Sequence, residues 1–333
     1  MSSTSGRRRR IAAVTCLLAL ALTVPVAATA ESSSGTFVGA DGLSYASADV
    51  VLRGQDGELF YGPELDLACG LGDRISRPLK ALARLTRIIE SSGRTVVFSI
   101  APGKTATMAD LVGALPHGAC DHLGLEAQDR LLDRFADPAY LPLRRDLSRT
   151  DHQMYWKTDL HWTTAGGAEY ARAVASRLDP RLGRRQRYVY STETRVGLLN
   201  QYAGTPEPET LELATPAGPV KVRNARRSDA WSGYPEFTFS NSWVSKPAGM
   251  TWPGQTLLLG DSFMWYALEN LRPIFRHGEF LWFVYSSDTK VVRAITKADT
   301  VVIEIYQLVL PGTPLVRPGF RHQVKKALAR AGR

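Results

Sequence analysis

Cysteine and histidine are scarce in this chain, and their scarcity narrows the chemistry open to it. Among 333 residues there are three cysteines and six histidines, and they do not stand at the Cys/His spacing of a zinc site. Internal repeats and low-complexity segments are also absent from the sequence, which favours one ordinary globular domain. We therefore predict a protein that uses neither a metal ion nor another cofactor.

Long apolar runs are absent except at the amino terminus. Arg7 to Arg10 form a basic segment, Ile11 to Val26 is apolar, and Ala28-Thr29-Ala30 has the small-x-small pattern of a signal-peptidase site. We predict that residues 1–30 are a signal peptide and that the mature protein is secreted or stays in the cell envelope. The alternative is an uncleaved leader that retains the protein at the membrane.

A net positive charge is missing from most of the mature chain. The formal net charge is +9, but residues 1–30 hold four arginines and no acids and residues 316–333 hold six basic residues and no acids, which leaves the body near −1. A nearly neutral body argues against a nucleic-acid partner. In the tail 316–333, Val324, Leu328 and Ala331 recur at helical spacing, which predicts a docked helix with a solvated basic face. Contact of that face with an anionic polymer or a lipid is the alternative.

Without the leader, Cys69 and Cys120 are the cysteines that remain. Two cysteines in an oxidising compartment most often pair, so we predict a disulfide between them. By constraining the unfolded chain, such a bridge would stabilise the fold by roughly 2 to 4 kcal/mol. Both thiols would then be oxidised, which argues against a cysteine nucleophile.

The mature chain, residues 31–333, alternates helix-like and strand-like segments. Pro78 to Glu90 has Leu and Ile at spacings of three and four, which is typical of an amphipathic helix. Thr95 to Ile100 is a β-branched run of strand length, and further strands are predicted at 256–259, 280–285 and 300–306. This alternation predicts a single α/β domain.

Residues 203–255 differ from the rest because Pro and Gly are frequent and short stretches such as Glu236 to Phe239 alternate. The pattern predicts a β-rich insertion. Its aromatic side chains offer flat faces for sugar rings, although local packing is the commoner role of such residues. These aromatic residues are Trp231, Tyr234, Trp243 and Trp252.

A serine follows the apolar strand 256–259 in the motif Gly260-Asp261-Ser262-Phe263. The glycine permits a tight turn, and Ser262 falls at the start of a helix that Pro273 stops. Free backbone N–H groups and the positive end of the helix dipole meet at such a position, which suits an oxyanion. We predict Ser262 as a nucleophile.

An Asp/His pair lies upstream in the segment Thr158 to Trp162. Asp159 and His161 precede a helix that Thr163 or Thr164 caps. At spacing i and i+2 in extended backbone, both side chains point to one side, so the carboxylate reaches the imidazole and fixes its tautomer. The pair predicts His161 as general base and Asp159 as its orienting acid.

The order of the two motifs is diagnostic. In common SGNH hydrolases the Gly-Asp-Ser motif comes first and the Asp/His pair last, whereas here Asp159 and His161 precede Ser262. This permuted order resembles the SGNH-like family of alginate O-acetyltransferases, and Gly54 to Phe60 is similar to the hairpin that opens the family's catalytic domain. The resemblance implies an SGNH-like (flavodoxin-like) fold, in which helices flank a mostly parallel sheet.

The resemblance also implies partners and secondary contacts. The acceptor is an extracellular or cell-wall polysaccharide, and a membrane-bound acyltransferase supplies the acetyl donor. Lys104 lies in a loop, residues 101–104, that is similar to the family's Pro-x-Lys loop, and is a candidate to face the cleft. Independently of the resemblance, Trp162, Asn200 and Tyr285 are further candidate substrate contacts, although core packing is the commoner role for a residue such as Trp162. Asn200 and Asn241 are candidates for a second oxyanion donor, with no motif behind them.

We thus predict an O-acyltransferase that moves an acetyl group through a Ser-His-Asp triad onto polysaccharide hydroxyls. One alternative is an SGNH-type acetylesterase, because the sequence does not show whether a sugar or water is the second nucleophile. Another is a carbohydrate-binding component of an export complex whose triad is vestigial. The complete triad argues against a binding role, since binding alone does not require all three residue types.

Overall fold

The described part of the chain begins at residue 36. The structure is a computed structural model that describes residues 36–38, 44–46, 51–68, 72–112, 127–128, 130–148, 152–203, 207–218, 221–231, 234–246 and 250–332. The predicted signal peptide and the predicted disulfide between Cys69 and Cys120 lie outside these residues. Within the ranges given, no helix has both the length and the apolar character that a membrane span requires.

The strands of the described residues form one large sheet and three antiparallel pairs. β1 pairs with β2, β3 with β4, and β6 with β7, while the remaining strands belong to the large sheet. Their bounds are β1 Thr36–Val38, β2 Ser44–Ala46, β3 Val51–Arg53, β4 Leu59–Tyr61, β5 Thr95–Ala101, β6 Tyr188–Arg195, β7 Glu209–Pro216, β8 Lys221–Trp231, β9 Tyr234–Lys246, β10 Trp252–Gly260, β11 Phe275–Trp282 and β12 Thr300–Tyr306.

Several of the helices begin at a side chain that caps the first free backbone N–H groups. Thr163 caps α5, Asp261 caps α8 and Ser287 caps α9. The helices are α1 Gly62–Ala68, α2 Gly72–Glu90, α3 Lys104–Thr107, α4 Arg144–Ser148, α5 Thr164–Leu178, α6 Pro180–Arg184, α7 Leu198–Tyr202, α8 Ser262–Leu271, α9 Asp288–Lys297 and α10 Pro318–Ala331.

The large sheet has the strand order β5-β12-β10-β11-β9-β8. Its first four strands are parallel, and β9 and β8 add an antiparallel edge. Both faces of the parallel strands are covered, as near-continuous apolar runs require. Leu257 and Leu259 face the layer formed by α2, α9 and α10, whereas Leu258 between them faces α5 and α8. The predicted α/β class with a mostly parallel, helix-flanked sheet is confirmed.

The hairpin at the start of the fold also has the predicted form. β3 and β4 pair in register from Val51 opposite Tyr61 to Arg53 opposite Leu59. Asp56 and Gly57 both have positive φ, 55° and 79°, which is the backbone conformation that an Asp-Gly turn supplies. The hairpin thereby brings Leu59 beside the segment that carries the Asp/His pair, because Leu59 N donates to Lys157 O at 2.7 Å.

Two predicted boundaries were wrong. The helix expected from Pro78 begins at Gly72, because Ile75 continues the apolar spacing and is fully buried, so the helix tolerates a proline in its interior. The strand expected at 280–285 runs from Phe275 to Trp282 and is followed by a 3₁₀ turn. The polar pair Arg276 and His277 at its exposed start concealed the strand pattern.

The region 203–255, expected as a β-rich insertion, provides strands to two sheets. β7 pairs with β6, and β9 pairs with β11 and so extends the large sheet. Trp243 is buried on β9 and its Nε1 donates to Arg272 O at 3.1 Å. Trp243 is therefore a packing residue. The side chains of Trp231 and Tyr234 lie outside the described residues.

The basic tail forms the predicted helix. α10 runs from Pro318 to Ala331 and buries Phe320, Val324 and Leu328 against the layer that contains α2 and α9. Lys325 and Lys326 lie on its exposed face. Docking of this helix is thus an ordinary apolar contact with a solvated basic side.

Candidate active site

The nucleophile candidate stands where β10 gives way to α8. Ser262 is the first residue of α8, and Asp261 caps the helix by accepting from Phe263 N at 3.0 Å. A Cβ at Gly260 would collide with the Met264 side chain, so glycine lets the helix start close against the strand end. The site therefore lies at the carboxyl edge of the parallel strands, where α/β sheets bind ligands.

One backbone donor in the first turn of α8 is left available. Phe263 N is taken by Asp261, and Met264 N donates to Glu304 Oε2 at 2.9 Å. Among the described residues, Ser262 N has no acceptor within hydrogen-bonding distance. An N–H at the positive end of a helix next to the nucleophile is the kind of donor that stabilises an oxyanion.

His161 links Ser262 to Asp159. Its Nε2 lies 2.8 Å from Ser262 Oγ, and its Nδ1 lies 2.7 Å from Asp159 Oδ1. His161 is thus within hydrogen-bonding distance of both other residues of the sequence-predicted triad, and Ser262 lies 101 residues after it in the chain. His161 and Asp159 are 7% and 3% exposed, so the contacts are shielded from water.

The Asp159 carboxylate is held by backbone donors as well. Oδ1 also accepts from His161 N at 3.0 Å, and Oδ2 accepts from Leu198 N, the first N–H of α7, at 2.9 Å. Burial tends to raise the pKa of Asp159, but His161 and these N–H groups more than offset burial and hold the pKa below its ordinary value. The carboxylate is therefore ionised and fixed in orientation.

The segment that carries the Asp/His pair is itself fastened on both sides. Glu209 of β7 accepts from Thr158 N at 3.2 Å and from Lys157 N at 2.9 Å. On the other side, Trp162 is fully buried and its Nε1 donates to Phe263 O at 2.8 Å. This last bond connects the His161 segment directly to α8.

Aromatic rings border the solvent side of the site. Ser262, Trp265 and Tyr266 lie at positions i, i+3 and i+4 of α8, so they share one face of the helix. The Tyr266 ring is 4.6 Å from the His161 ring, and Trp265 meets Tyr266 edge-on at 5.2 Å. Both α8 aromatic residues are partly exposed.

Lys104 was a candidate to face the cleft, but in the structure it does not face the cleft. It is fully buried, forms an ion pair with Glu58 at 2.7 Å, and donates to Leu59 O at 2.8 Å and Lys157 O at 2.7 Å. Burial lowers the pKa of the Lys104 ammonium group, and Glu58 partly offsets that effect. Because its three N–H donors are all engaged, Lys104 is a structural support that joins the opening hairpin to the Asp/His segment.

The other candidate substrate contacts divide between core and surface. Trp162 is core, since it stacks on Tyr170 at 5.3 Å and has no exposed surface, so it cannot contact a substrate from its present position. Asn200 is buried in α7, and its Nδ2 donates to Glu207 O at 2.6 Å. Tyr285 is 56% exposed and packs edge-on against Trp282 at 5.4 Å.

Asn241, the second candidate for an oxyanion donor, is buried on β9 opposite Phe280. In the parallel register, Gly260 pairs with Trp282, two residues beyond Phe280. Asn241 is therefore set back in the sheet from the edge at which Ser262 stands. Neither predicted asparagine, Asn200 or Asn241, therefore serves as a second donor beside Ser262 N.

Sequence reasoning missed Glu304, which is fully buried and bonded to the first turn of α8. A signal for it was present, because Glu304 is the one charged residue in the strand Thr300–Tyr306. A buried acid in an apolar strand requires partners and is a marker of function. Among the described residues, no group of three or more His, Cys, Asp or Glu side chains has the arrangement of a metal site.

Several solved structures share this fold. PatB1 of Bacillus cereus, solved with a sulfonyl adduct, is 16% identical with a TM-score of 0.59, covering 80% of this chain and 99% of that one. The O-acetyltransferase domain of Pseudomonas putida AlgJ is 18% identical with a TM-score of 0.51 and coverages of 83% and 98%. Pseudomonas aeruginosa AlgX is 15% identical with a TM-score of 0.50 and coverages of 84% and 65%. At these identities the likeness establishes the fold.

The sequence also matches a protein family. A search of curated proteins found no match. The family described as an SGNH hydrolase-like domain, acetyltransferase AlgX, matches residues 51–233, which is more than half of the chain and includes Asp159 and His161. The resemblance inferred from the permuted motifs is therefore confirmed. The chain belongs to the SGNH hydrolase-like acetyltransferase family of AlgX.

Proposed function

We propose that this protein is an O-acetyltransferase that uses Ser262, His161 and Asp159 to move an acetyl group onto a hydroxyl of a polysaccharide outside the cytoplasm. Membership of the AlgX acetyltransferase family supports the reaction class. The observation that carries the proposal is the unbroken path of hydrogen bonds, 2.7 Å and 2.8 Å long, from Asp159 through His161 to Ser262. Both distances are those that a working triad requires, which favours catalysis over a vestigial site.

In the first step, Ser262 Oγ attacks the carbonyl carbon of an acetyl ester while its proton passes to His161 Nε2. The oxyanion that forms accepts from Ser262 N, and Asp159 stabilises the imidazolium. The C–O bond to the donor alcohol then breaks, and His161 returns the proton to the departing oxygen. The product is an acetyl-Ser262 ester and a free donor alcohol.

In the second step, a sugar hydroxyl gives its proton to His161 Nε2 as its oxygen attacks the acetyl carbon. The bond from the acetyl carbon to Ser262 Oγ breaks, and the proton moves from His161 to the serine. The sugar leaves as an acetyl ester and the triad returns to its starting state. Water in place of the sugar would make the same protein an esterase, so acceptor positioning decides the outcome.

The aromatic face of α8 is the proposed place for the acceptor. Trp265 and Tyr266 share the helix face of Ser262, and a flat aromatic ring stacks well on the C–H face of a sugar. Trp282 pairs with Gly260 at the same sheet edge, and Tyr285 extends the aromatic surface into solvent. We assign the acceptor sugar to this surface and the acetyl carbonyl to the space between Ser262 N and His161.

The proposal also includes the location of the protein outside the cytoplasm and the supply of its acetyl donor. Residues 1–30 have the pattern of an export signal, which supports a role outside the cytoplasm. An activated acetyl ester must then reach the site from a separate protein, and a membrane-bound acyltransferase is the proposed supplier. Addition of a membrane fraction that contains such an enzyme should replace a synthetic donor.

An assay with a chromogenic acetyl ester tests the reaction. The chain from residue 31 is incubated with the ester, with and without a β-linked oligosaccharide, and acetylated sugar and free acetate are measured. Acetylated sugar that Ser262→Ala abolishes supports the transferase. Free acetate that the oligosaccharide does not divert would instead indicate an esterase, and no reaction in either form would favour a binding protein.

A covalent probe tests the nucleophile separately. A sulfonyl fluoride should label Ser262, because it needs the activated hydroxyl and not an acceptor. Labelling should slow in His161→Ala, because the general base is lost. An adduct mapped to another residue would contradict the assignment of Ser262.

A further inference from the structure

Two acidic side chains lie directly under the nucleophile. Asp261 precedes Ser262, and Glu304 stands on β12 beside it, since Ile303 pairs with Leu259 next to Gly260. Asp261 is 4% exposed and Glu304 has no exposed surface. Two acids at this depth are costly unless each oxygen has a partner.

Each acid holds backbone N–H groups of the elements around Ser262. Asp261 accepts from Phe263 N at 3.0 Å with one oxygen and from Tyr306 N at 2.7 Å with the other. Glu304 accepts from Met264 N at 2.9 Å with Oε2. The first turn of α8 and the end of β12 are therefore joined through these carboxyl groups.

The remaining oxygen of Glu304 receives no hydrogen bond from the residues that the structure describes. Glu304 Oε1 is enclosed, and in the described part of the chain no N–H or O–H donor reaches it. The carboxyl groups of Asp261 and Glu304 are close enough for each to shift the pKa of the other. Two ionised carboxylates at this depth repel each other, and among the described residues Glu304 Oε1 has no donor to offset its charge, so the pair is stable with a proton on one of them.

We propose that Asp261 and Glu304 share one proton at neutral pH and that this singly charged pair positions the first turn of α8, which leaves Ser262 N aimed at the oxyanion. Glu304 carries the proton, because both oxygens of Asp261 already accept from N–H groups whereas Glu304 Oε1 is free to donate. The pair then presents one negative charge toward the imidazolium that His161 becomes during the reaction.

The environment of Asp261 and Glu304 favours one negative charge on the pair over two. Burial raises the pKa of Asp261 to about 6, although its two backbone donors and His161 act against burial. Burial, together with the charge of Asp261, raises the pKa of Glu304 well above its ordinary value. Besides His161, the titratable groups that face the pair are Tyr155 and Tyr170, and burial raises the pKa of both phenols, so they stay neutral.

The proton can be detected without any catalytic assay. Above pH 6 the folded protein holds the Glu304 proton, whereas an unfolded Glu does not, so the folded state loses stability as pH rises toward the raised pKa of Glu304. Glu304→Gln donates the same hydrogen bond with no titrating proton. Between the pKa of Glu in the unfolded chain and the raised pKa of Glu304, the wild-type unfolding constant should therefore rise with pH, by at most about tenfold per pH unit, relative to that of Glu304→Gln.

Activity gives a second readout that depends on the proposed function. Glu304→Ala should lose about a hundredfold in kcat, as expected when an oxyanion donor is misplaced, and Glu304→Gln should restore most of that loss. Asp261→Asn should not be tolerated, because its single amide oxygen cannot serve both Phe263 N and Tyr306 N. Equal activities of Glu304→Gln and Glu304→Ala would refute the positioning role.

Infrared difference spectra between wild type and Glu304→Gln complete the test. The carbonyl band of a protonated carboxyl should be present at pH 7 and disappear in the variant. Its absence, or a constant ratio of unfolding constants from pH 6 to pH 8, overturns the shared proton. Both physical readouts should persist in Ser262→Ala, so a protein that fails as an acetyltransferase but keeps them refutes the proposed function and leaves the shared proton standing.

Discussion

At the scale of single residues, Asp159 sets the orientation of the His161 ring. Hydrogen bonds from His161 Nδ1, His161 N and Leu198 N converge on its two oxygens. Its pKa is below the ordinary value in the folded protein, so it adds stability above the ordinary pKa and loses that stability as pH falls through the lowered pKa. The same contacts that fix the imidazole therefore also make the site sensitive to acid.

Alanine substitutions in the triad should be strongly non-additive. Ser262→Ala, His161→Ala and Asp159→Ala should each reduce kcat about 10⁴-fold or more, because the three groups act as one unit. Double variants should be little worse than the single ones when acetylated product is measured. Losses that multiply in the doubles would mean that the three residues act independently.

Removing the buried ammonium group of Lys104 should destabilise the protein. Lys104→Met leaves Glu58 buried without its counter-ion, and breaking such a pair typically costs about 3 to 5 kcal/mol. The free energy of unfolding in urea measures the loss. The matched control Lys104→Met/Glu58→Leu should recover much of it, because the isolated charge is gone. A Lys104→Met protein with unchanged stability and a raised acceptor KM would return Lys104 to the substrate cleft.

The sequence predicted the triad because its residue types and their order carry information at short range. Core packing was the commoner role expected for Trp162, and the structure agrees. The sequence could not predict that Lys104 is buried, since its ion pair with Glu58 joins residues that are distant in sequence. Glu304 was missed for a related reason. The role of Glu304 depends on its neighbours Met264 and Asp261, which are distant in sequence. They lie beside Glu304 because β12 and β10 are adjacent strands of the sheet.

At the scale of elements, the crossing of α5 and α8 determines how closely the base approaches the nucleophile. The small residues of α5 allow a close approach to α8, and a Cβ on Gly167 would lie only 2.9 Å from Ala267 Cα. The backbone of α8 cannot yield as a flexible side chain would. Gly167 is therefore a spacer that holds the two helices together behind the site.

Gly167→Ala should separate these helices and weaken the site. We expect a loss of about 1 to 3 kcal/mol in stability from overpacking, and a fall in kcat of about 100-fold if the distance from His161 to Ser262 grows by an ångström. Gly319→Ala in the exposed first turn of α10 is the control, because its Cβ meets nothing within 4 Å. That change should stabilise by about 0.4 to 1 kcal/mol. Equal effects of the two substitutions in denaturation and kinetic assays would remove the spacer role.

Helix and strand types were predictable wherever apolar spacing is regular, as in α5 and β12. Boundaries failed where a local signal opposed the tertiary one. Pro78 signals a helix start, but burial of Ile75 adds another turn before it. The role of β9 as part of the large sheet could not be predicted, because its pairing with β11 depends on a partner more than thirty residues away.

At the scale of the whole molecule, the carboxyl-terminal helix closes one face of the fold through its apolar side. Phe320→Ala should cost about 3 to 5 kcal/mol because it empties a buried site. The double change Lys325→Glu/Lys326→Glu on the exposed face should alter stability by no more than about 0.5 kcal/mol. Urea denaturation measures both variants. A large loss in the charge variant would show that the basic face has an internal partner.

The predicted disulfide is testable on secreted protein. If Cys69 and Cys120 pair, titration of the unfolded mature chain should find no reactive thiol, and Cys69→Ser should cost roughly 2 to 4 kcal/mol. Cys69→Ser/Cys120→Ser should show the same loss, because either change removes the bridge. Two reactive thiols per chain would contradict the pairing and weaken the case for an oxidising compartment.

The hydrogen bond from Trp162 Nε1 to Phe263 O bears on the stage of folding at which the site assembles. Its two ends are 101 residues apart, so as the chain is synthesised the general base is made long before the nucleophile. A contact of that sequence separation must close a long loop, which is slow compared with helix formation. A chain with its helices formed but this loop still open holds an imidazole with no serine to activate. The contact between His161 and Ser262 is therefore expected to form late in folding, and the proposed acyl transfer would require this loop to be closed.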